Sequence, residues 1–227
     1  MKVCLFYDCE TTGLPLFKEP SDHPDQPHIV QLAAALVDLD TRKQLAGFDV
    51  IVHPSDWKIP KEVSDIHGIT DELARDVGIR EELAVDMLLD LHYARSLPRR
   101  IAHNESFDAR IIRIALKRIH DRRPENAGLV IPISDEWKGR AAECTMRMAT
   151  PILNLPPTDA MLAAGRRHAK SPNLGEAYEF FTGKTLENAH NAMADVQACI
   201  AVYFAILDRA EARVAACDSP PSVSTTS

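Results

Sequence analysis

The chain has 227 residues, of which 45% are hydrophobic, and it carries a formal net charge of −7. This length and composition suit one compact domain with a large core, and no apolar run approaches the roughly 20 residues that span a bilayer. The five cysteines include no CxxC pair, which argues against a disulfide framework or a structural zinc site. Acids within the opening "MKVCLFYDCE" argue against a secretory signal. We therefore expect a cytoplasmic protein without a membrane segment.

Three predicted strands come first, joined by a polar, proline-bearing loop and then by a hairpin. They lie at residues 2–9, 28–39 and 47–53. Helices dominate the remainder, with one short strand among them. The predicted helices lie at 81–97, 105–120, 145–150, 174–181 and 191–214, and the fourth strand lies at 99–104. This order indicates an α/β fold in which helices pack on a mixed sheet.

Three stretches lack a clear pattern of secondary structure. Residues 121–143 are predicted to be irregular, and residues 157–173 are predicted to be mobile. The Ser/Thr/Pro-rich end contains few core-forming residues, which is typical of a disordered tail. The predicted organisation is therefore one domain over residues 1–215 and a tail over residues 216–227.

The first strand ends in two acids separated by a single cysteine, in "DCETTGL". Side chains alternate faces along a strand, so Asp8 and Glu10 project on the same side while Cys9 points away. Neighbouring carboxylates repel unless a cation lies between them, and a divalent metal would fit there. Taken alone, the pair fits a solvated turn at residues 11–13 equally well.

Two predicted helices place an acid beside their apolar stripe. Asp108 shares a helix face with Ile112 and Ala115, and Asp195 lies one turn before Cys199. An acid in a first helical turn is also favoured by the helix dipole alone, so a purely structural role stays open for both residues.

A histidine precedes the last predicted helix, in "AHNAMAD". Five helical steps would turn His190 away from Asp195, so we place His190 on the loop before the helix. A single loop histidine is usually a surface residue. This one would instead lie next to four carboxylates.

Together these segments resemble the motifs of the DEDDh, or DnaQ-like, 3′–5′ exonuclease family. The three family motifs stand in order as "DCETTG", "HNESFDA" and "HNAMAD", and "IHGIT" at 66–70 is a further frequent feature, so the resemblance covers about residues 1–210. Two positions depart from the pattern. Gln31 stands where many members carry Glu, and Cys144 stands before Thr145 where Asp is usual, which leaves the helix cap there in doubt.

The resemblance implies a fold and a metal site. The fold is an RNase H-like mixed five-stranded sheet flanked by helices. Two Mg²⁺ ions, with Mn²⁺ as a substitute, would be held by Asp8, Glu10, Asp108 and Asp195, and His190 would accept the proton of the attacking water. The implied substrate contacts are Thr11, Thr12, Leu14, His103, Asn104 and Phe107.

The implied activity is the release of nucleoside 5′-monophosphates from the 3′ end of DNA, preferably single-stranded. Despite the net charge, residues 91–170 carry 15 basic and 8 acidic residues, so a local basic surface is available to a polyanion. Two alternatives stay open: an exoribonuclease of the oligoribonuclease or RNase T type, and a non-catalytic nucleic-acid-binding module. No motif that would tether a polymerase is seen, which favours a free-standing nuclease.

Overall fold

A five-stranded mixed sheet forms the centre of the computed structural model, which describes residues 2–93, 98–126, 129 and 131–218. The strands are β1 Val3–Thr11, β2 Ile29–Asp38, β3 Lys43–Ile51, β4 Arg99–Ala102 and β5 Ala142–Cys144. Their order across the sheet is β3-β2-β1-β4-β5. The β1–β2 and β2–β3 pairs are antiparallel, and the β1–β4 and β4–β5 pairs are parallel.

Helices surround the sheet and supply most of the chain after β3. They are α1 Lys61–His67, α2 Asp71–Val77, α3 Glu81–Tyr93, α4 Glu105–Arg118, α5 Ile133–Gly139, α6 Thr145–Leu153, α7 Asp159–Ala163, α8 Leu174–Thr182 and α9 Ala192–Asp218. Within the described ranges, none of the helices is long and apolar enough to cross a membrane. The cytoplasmic location stays a prediction.

The alternation of side chains along β1 divides the core between the two faces of the sheet. Leu5, Tyr7 and Cys9 pack with α3 and α4 on one face. Cys4 and Phe6 pack with α9 on the other face. Because Asp8 and Glu10 continue the even-numbered series, they belong to the α9 face.

The structure differs from the sequence prediction before α3 and after α4. Helices α1 and α2 were not among the predicted helices. Residues 121–143, predicted to be irregular, contain α5 and part of β5, and residues 157–173 contain α7. Both α5 and β5 are too short to show a hydrophobic period, although Trp137 of α5 is 2% exposed and belongs to the core. Helix α9 includes residues 216–218, which the sequence assigned to the tail. The remainder of the predicted tail, and residues 94–97 of the predicted third helix, lie outside the described residues.

Candidate active site

Strand β1 extends beyond its parallel neighbour β4, and the site forms where β4 stops. The β1–β4 pairing ends with Phe6 opposite Ile101. Further along β1, the backbone N–H of Cys9 donates to Asp108 Oδ1 at 3.1 Å instead of to a strand. The carboxylate of Asp108 thus occupies the place that a longer β4 would have taken.

Asp108 reaches this position because α4 begins immediately after β4. Asn104 precedes the helix with a positive φ of 65°, a left-handed conformation that reverses the chain direction and that Asn tolerates. Asp108 then lies in the first turn of α4 and is 2% exposed. The predicted inward orientation of this acid is confirmed.

Asp195 lies in the first turn of α9, which packs on the face of the sheet opposite to α4. Asn191 caps the helix, since its Oδ1 accepts the N–H of Ala194 at 3.1 Å. The N–H of Ala192 donates to Gln31 Oε1 at 3.1 Å. Gln31 lies opposite Glu10 in the β1–β2 register. Gln31, which departs from the family pattern, therefore connects the first turn of α9 to β2 at the position opposite Glu10.

His190 lies in the turn before α9 and faces the acids. Its φ is 66°, and its backbone N–H donates to Asp195 Oδ2 at 3.2 Å. Potential ligand atoms of Glu10, His190 and Asp195 all lie within 4.8 Å of one another. The side chain of His190 is exposed. The structure thus brings this histidine to the carboxylates that the sequence placed it near.

The carboxylates of the site strongly disfavour being charged together. Burial, followed by the charges of Asp108, Asp195 and Glu10, raises the pKa of Asp8 well above its usual range. Burial and the charge of Asp195 raise the pKa of Glu10 to about 8. Burial also raises the pKa of Asp108, partly offset by the hydrogen bond from Cys9, and that of Asp195, partly offset by the backbone hydrogen bond and charge of His190. Positive charge placed among these carboxylates would therefore stabilise their ionised forms.

The donor set fits hard divalent cations. Across the ranges that the structure describes, no lysine or arginine forms an ion pair with Asp8, Glu10, Asp108 or Asp195. Asp195 Oδ1 is buried without a hydrogen-bond partner. Carboxylate oxygens are the ligands that Mg²⁺ and Mn²⁺ prefer. A buried oxygen without a hydrogen-bond partner, beside mutually repelling acids, fits residues that would bind a divalent cation.

In chelating buffer, the stability of this protein is expected to fall as pH rises from about 5 to about 9. The native state holds protons on acids with raised pKa values that the unfolded chain releases near pH 4, so stability is lost as pH rises through the folded-state pKa of about 8 for Glu10. Glu10→Gln should weaken this pH dependence and raise Tm at pH 9, whereas Glu62→Gln, at an exposed position of α1, should not. Thermal melts in EDTA test this, and identical pH profiles for wild type and Glu10→Gln would contradict it.

The loop after β1 presents three of the predicted substrate contacts. Thr11 Oγ1 donates to the carbonyl of Gly13 at 2.8 Å, and Thr12 Oγ1 accepts the backbone N–H of His28 at 2.9 Å. Leu14 is 74% exposed. The hydroxyls of the two threonines are thus engaged by backbone groups, and the apolar side chain of Leu14 is exposed four residues after Glu10.

The other predicted substrate contacts lie at the start of α4. His103 is engaged on both ring nitrogens, with Thr145 Oγ1 at 3.0 Å and the carbonyl of Pro172 at 3.1 Å. Phe107 packs against the core, and Asn104 is exposed. His103 and Phe107 are thus half-buried and help to hold the fold around the site, and Asn104 is exposed.

Cys144 stands at the N-cap of α6 without a side-chain hydrogen bond to the helix. The doubt raised by the missing Asp in this position is therefore justified. The next residue, Thr145, is fully buried, and its hydroxyl contacts His103 and lies 3.5 Å from Cys199 Sγ. The start of α6 is anchored by this threonine.

Sequence reasoning gave no role to His67, in "IHGIT". Its Nδ1 accepts the backbone N–H of Ile69 at 3.1 Å, and its Nε2 is buried without a partner. Burial lowers the pKa of His67, and the positive charge of a nearby His190 lowers it further. This segment therefore lies close to the His190 side of the site.

Several basic residues of the 91–170 segment form contacts within the fold. On α4, Arg113 pairs with Asp135 at 3.0 Å, and Arg110 donates to the carbonyl of Glu19 at 2.7 Å. By contrast, Arg166 and Arg167 are exposed. The accessible basic surface is smaller than the count of basic residues suggested.

A family model described as an exonuclease, RNase_T, matches residues 5–203. No curated protein matches the chain. Among solved structures, Exonuclease I of E. coli in complex with a dT13 oligonucleotide matches with a TM-score of 0.68 at 21% identity, covering 96% of this chain and 43% of that one. A moderately thermophilic Exonuclease I from Methylocaldum szegediense matches with a TM-score of 0.64 at 23% identity, covering 92% and 41%.

This chain spans less than half the length of those Exonuclease I structures. At such identities the structural matches show the fold, and they confirm the predicted RNase H-like mixed sheet flanked by helices. The family model extends over most of the chain and includes all four acids and His190. The prediction of a hydrolytic nuclease is confirmed at the level of the family, and this chain belongs to the exonuclease family.

Proposed function

We propose that this chain is a divalent-metal-dependent 3′–5′ exonuclease that acts preferentially on single-stranded DNA and releases nucleoside 5′-monophosphates. The proposal rests on the cluster of Asp8, Glu10, Asp108 and Asp195, which forms no ion pair with a lysine or arginine among the described residues and has the exposed His190 beside Glu10 and Asp195. Asp8 and Glu10 belong to the first family motif, and Asp108 and Asp195 belong to the second and third. Asp8, Glu10, Asp108 and Asp195 would hold two Mg²⁺ ions, with Mn²⁺ as a substitute.

Two divalent cations at such a site supply activation of a water and stabilisation of the departing oxygen in an in-line displacement at phosphorus. The residues of this chain supply the remainder. The imidazole of His190 is exposed, within 4.8 Å of Glu10 and Asp195, so it is placed to accept the proton of the attacking water. Its backbone bond to Asp195 fixes the turn that presents it.

The loop after β1 would bind the terminal nucleotide. The exposed Leu14 is available to press against its base, and the loop backbone around Thr11 and Thr12 is available to its sugar. Asn104 is exposed at the start of α4. His103 and Phe107 are half-buried beside it, and the exposed part of each side chain would contact the substrate.

The choice of DNA is supported by Exonuclease I structures of similar fold, which hold dT13 and dA16 oligonucleotides, and one of which is an ssDNA complex. The phosphodiester chemistry is common to DNA and RNA, so the exoribonuclease alternative differs only in the sugar. An association with a polymerase is not part of the proposal.

The purified chain is expected to shorten single-stranded DNA with added Mg²⁺ or Mn²⁺ and to be inactive in EDTA. Matched DNA and RNA oligomers, each single-stranded and in duplex, should be compared by release of mononucleotides. We expect the fastest release from single-stranded DNA, because a 3′ end must be unpaired to reach the acids. Undiminished activity in excess chelator would refute the metal site, and faster release from RNA would establish the exoribonuclease alternative.

A further inference from the structure

A groove opens directly beside the loop that would bind the terminal nucleotide. Its volume is about 350 Å³, and its lining includes Thr12, Leu14, Asp25, His28, Trp57 and Lys58. We call it the Trp57 groove. Pockets that bind small organic ligands have volumes of roughly 300–1,000 Å³, so a nucleotide-sized group fits.

The aromatic wall of the groove is a stacked pair. The rings of His28 and Trp57 are 4.5 Å apart between centroids and 12° from parallel. His28 Nδ1 lies 2.6 Å from Arg118 Nη1 and 3.1 Å from Glu81 Oε2. Helices α3 and α4 therefore fix the histidine from behind, and the histidine supports the tryptophan.

Both walls are also fixed by their backbones. The N–H of Thr12 donates to the carbonyl of His28 at 3.0 Å, and the N–H of His28 donates to Thr12 Oγ1 at 2.9 Å. On the other side, Arg75 donates to the carbonyls of Trp57 at 3.1 Å and Pro54 at 2.8 Å. A wall that is rigid before binding loses little conformational entropy when a ligand arrives.

The chemistry of the groove suits a base attached to a phosphate backbone. Trp57 supplies aromatic surface, Leu14 supplies exposed apolar surface from the loop that follows Glu10, and Lys58 places an exposed cation in the lining. Asp25, the acid in the lining, lies 3.9 Å from His23 Nδ1. Aromatic platforms beside a positive charge are how proteins hold single strands without reading their sequence.

We propose that the Trp57 groove binds one base of the substrate strand on the 5′ side of the terminal nucleotide. This inference rests on the proposed exonuclease function, because the groove shares Thr12 and Leu14 with the loop that would bind the terminal nucleotide, and this shared lining identifies the occupant. Trp57 is then a substrate-binding residue, and the groove favours single strands because a paired base cannot turn into it.

The first test is the binding of a fluorescein-labelled single-stranded DNA oligomer in EDTA, where no cleavage occurs. Trp57→Ala should weaken binding by roughly 5- to 150-fold, the range for losing one base–aromatic stack, and Trp57→Phe should weaken it less. The matched control is Phe180→Ala, which removes a half-exposed aromatic ring of α8 that lies beside Arg209. Equal affinity of wild type and Trp57→Ala would overturn the inference.

A second test does not depend on the folding of the alanine variant. Oligomers that each carry one abasic residue at successive positions from the 3′ end should reveal one internal position where wild type loses affinity. That position should lose its effect in Trp57→Phe or Trp57→Ala. A flat abasic profile in wild type, or the same profile in wild type and both variants, would overturn the groove assignment. If wild type degrades DNA normally in Mg²⁺, that result refutes the groove alone; if it neither binds nor degrades DNA, the proposed function fails with it.

Discussion

Asp108→Asn is expected to lower kcat at least about 10³-fold while the protein stays folded, because groups that act as one catalytic unit cost nearly the whole rate when one is lost. The amide keeps an oxygen that can accept the N–H of Cys9, so the hydrogen bond at the end of β4 can persist. The substitution replaces a metal-binding carboxylate with an uncharged amide. Steady-state release of mononucleotides and a Tm measured in EDTA check the two parts separately.

The choice of asparagine over alanine follows from the structure. Asp108→Ala would leave the buried N–H of Cys9 unpaired, at a cost of about 1–3 kcal/mol, which offsets the relief of charge repulsion that the acid cluster predicts. Asp8→Asn, Glu10→Gln and Asp195→Asn should be equally inactive. Asp159→Asn, in the first turn of α7, is the matched control and should keep the wild-type rate. A rate near that of wild type in Asp108→Asn would remove this residue from the site.

His190→Asn is expected to lower kcat by about 10²- to 10⁴-fold, the usual effect of losing a positioned proton acceptor. Asparagine tolerates the positive φ of 66° at this position, and any residue but proline retains the N–H that donates to Asp195. The variant therefore removes the imidazole and leaves the turn. The acid limb of the dependence of kcat on pH should also flatten, since no imidazole remains to be protonated.

The control for the histidine is His168→Asn, which changes an exposed histidine in the 157–173 segment. Binding of Mn²⁺, followed by titration calorimetry, should change little in His190→Asn because the carboxylates form the metal site. A full rate with an unchanged acid limb would show that His190 takes no part in proton transfer, and the four-acid site would stand without it.

The acids were predictable because each interrupts a pattern. Asp8 and Glu10 lie at the end of the otherwise apolar β1, and Asp108 and Asp195 lie on or beside helix stripes that otherwise contain core residues. A carboxylate in such a place needs a reason, and the family motifs supplied one. The long strands and helices were predictable because their hydrophobic patterns are periodic, whereas the short elements α1, α2, α5, α7 and β5 were not predicted.

The contacts that shape the site could not be predicted, because they join residues far apart in sequence. The hydrogen bond from Cys9 to Asp108 depends on where β4 stops, and the bond from Ala192 to Gln31 depends on the β1–β2 register. Of these contact residues, only Gln31 could have been noticed in the sequence, because it is a polar residue inside an apolar strand. The structure shows that Gln31 is buried. Nothing in the sequence indicates that both ring nitrogens of His103 contact other residues.

Cleavage of phosphodiester bonds from the 3′ end with divalent metal can be tested by a time course on a single-stranded DNA oligomer labelled at its 5′ end. The reaction is run with the wild-type protein in Mg²⁺ and in EDTA, and with Asp108→Asn in Mg²⁺. We expect a ladder of progressively shorter labelled products only with wild type in Mg²⁺, with nucleoside 5′-monophosphates released and no ladder from an oligomer whose 3′ end is blocked. Immediate loss of the label as a mononucleotide, or the same ladder in EDTA, would contradict it.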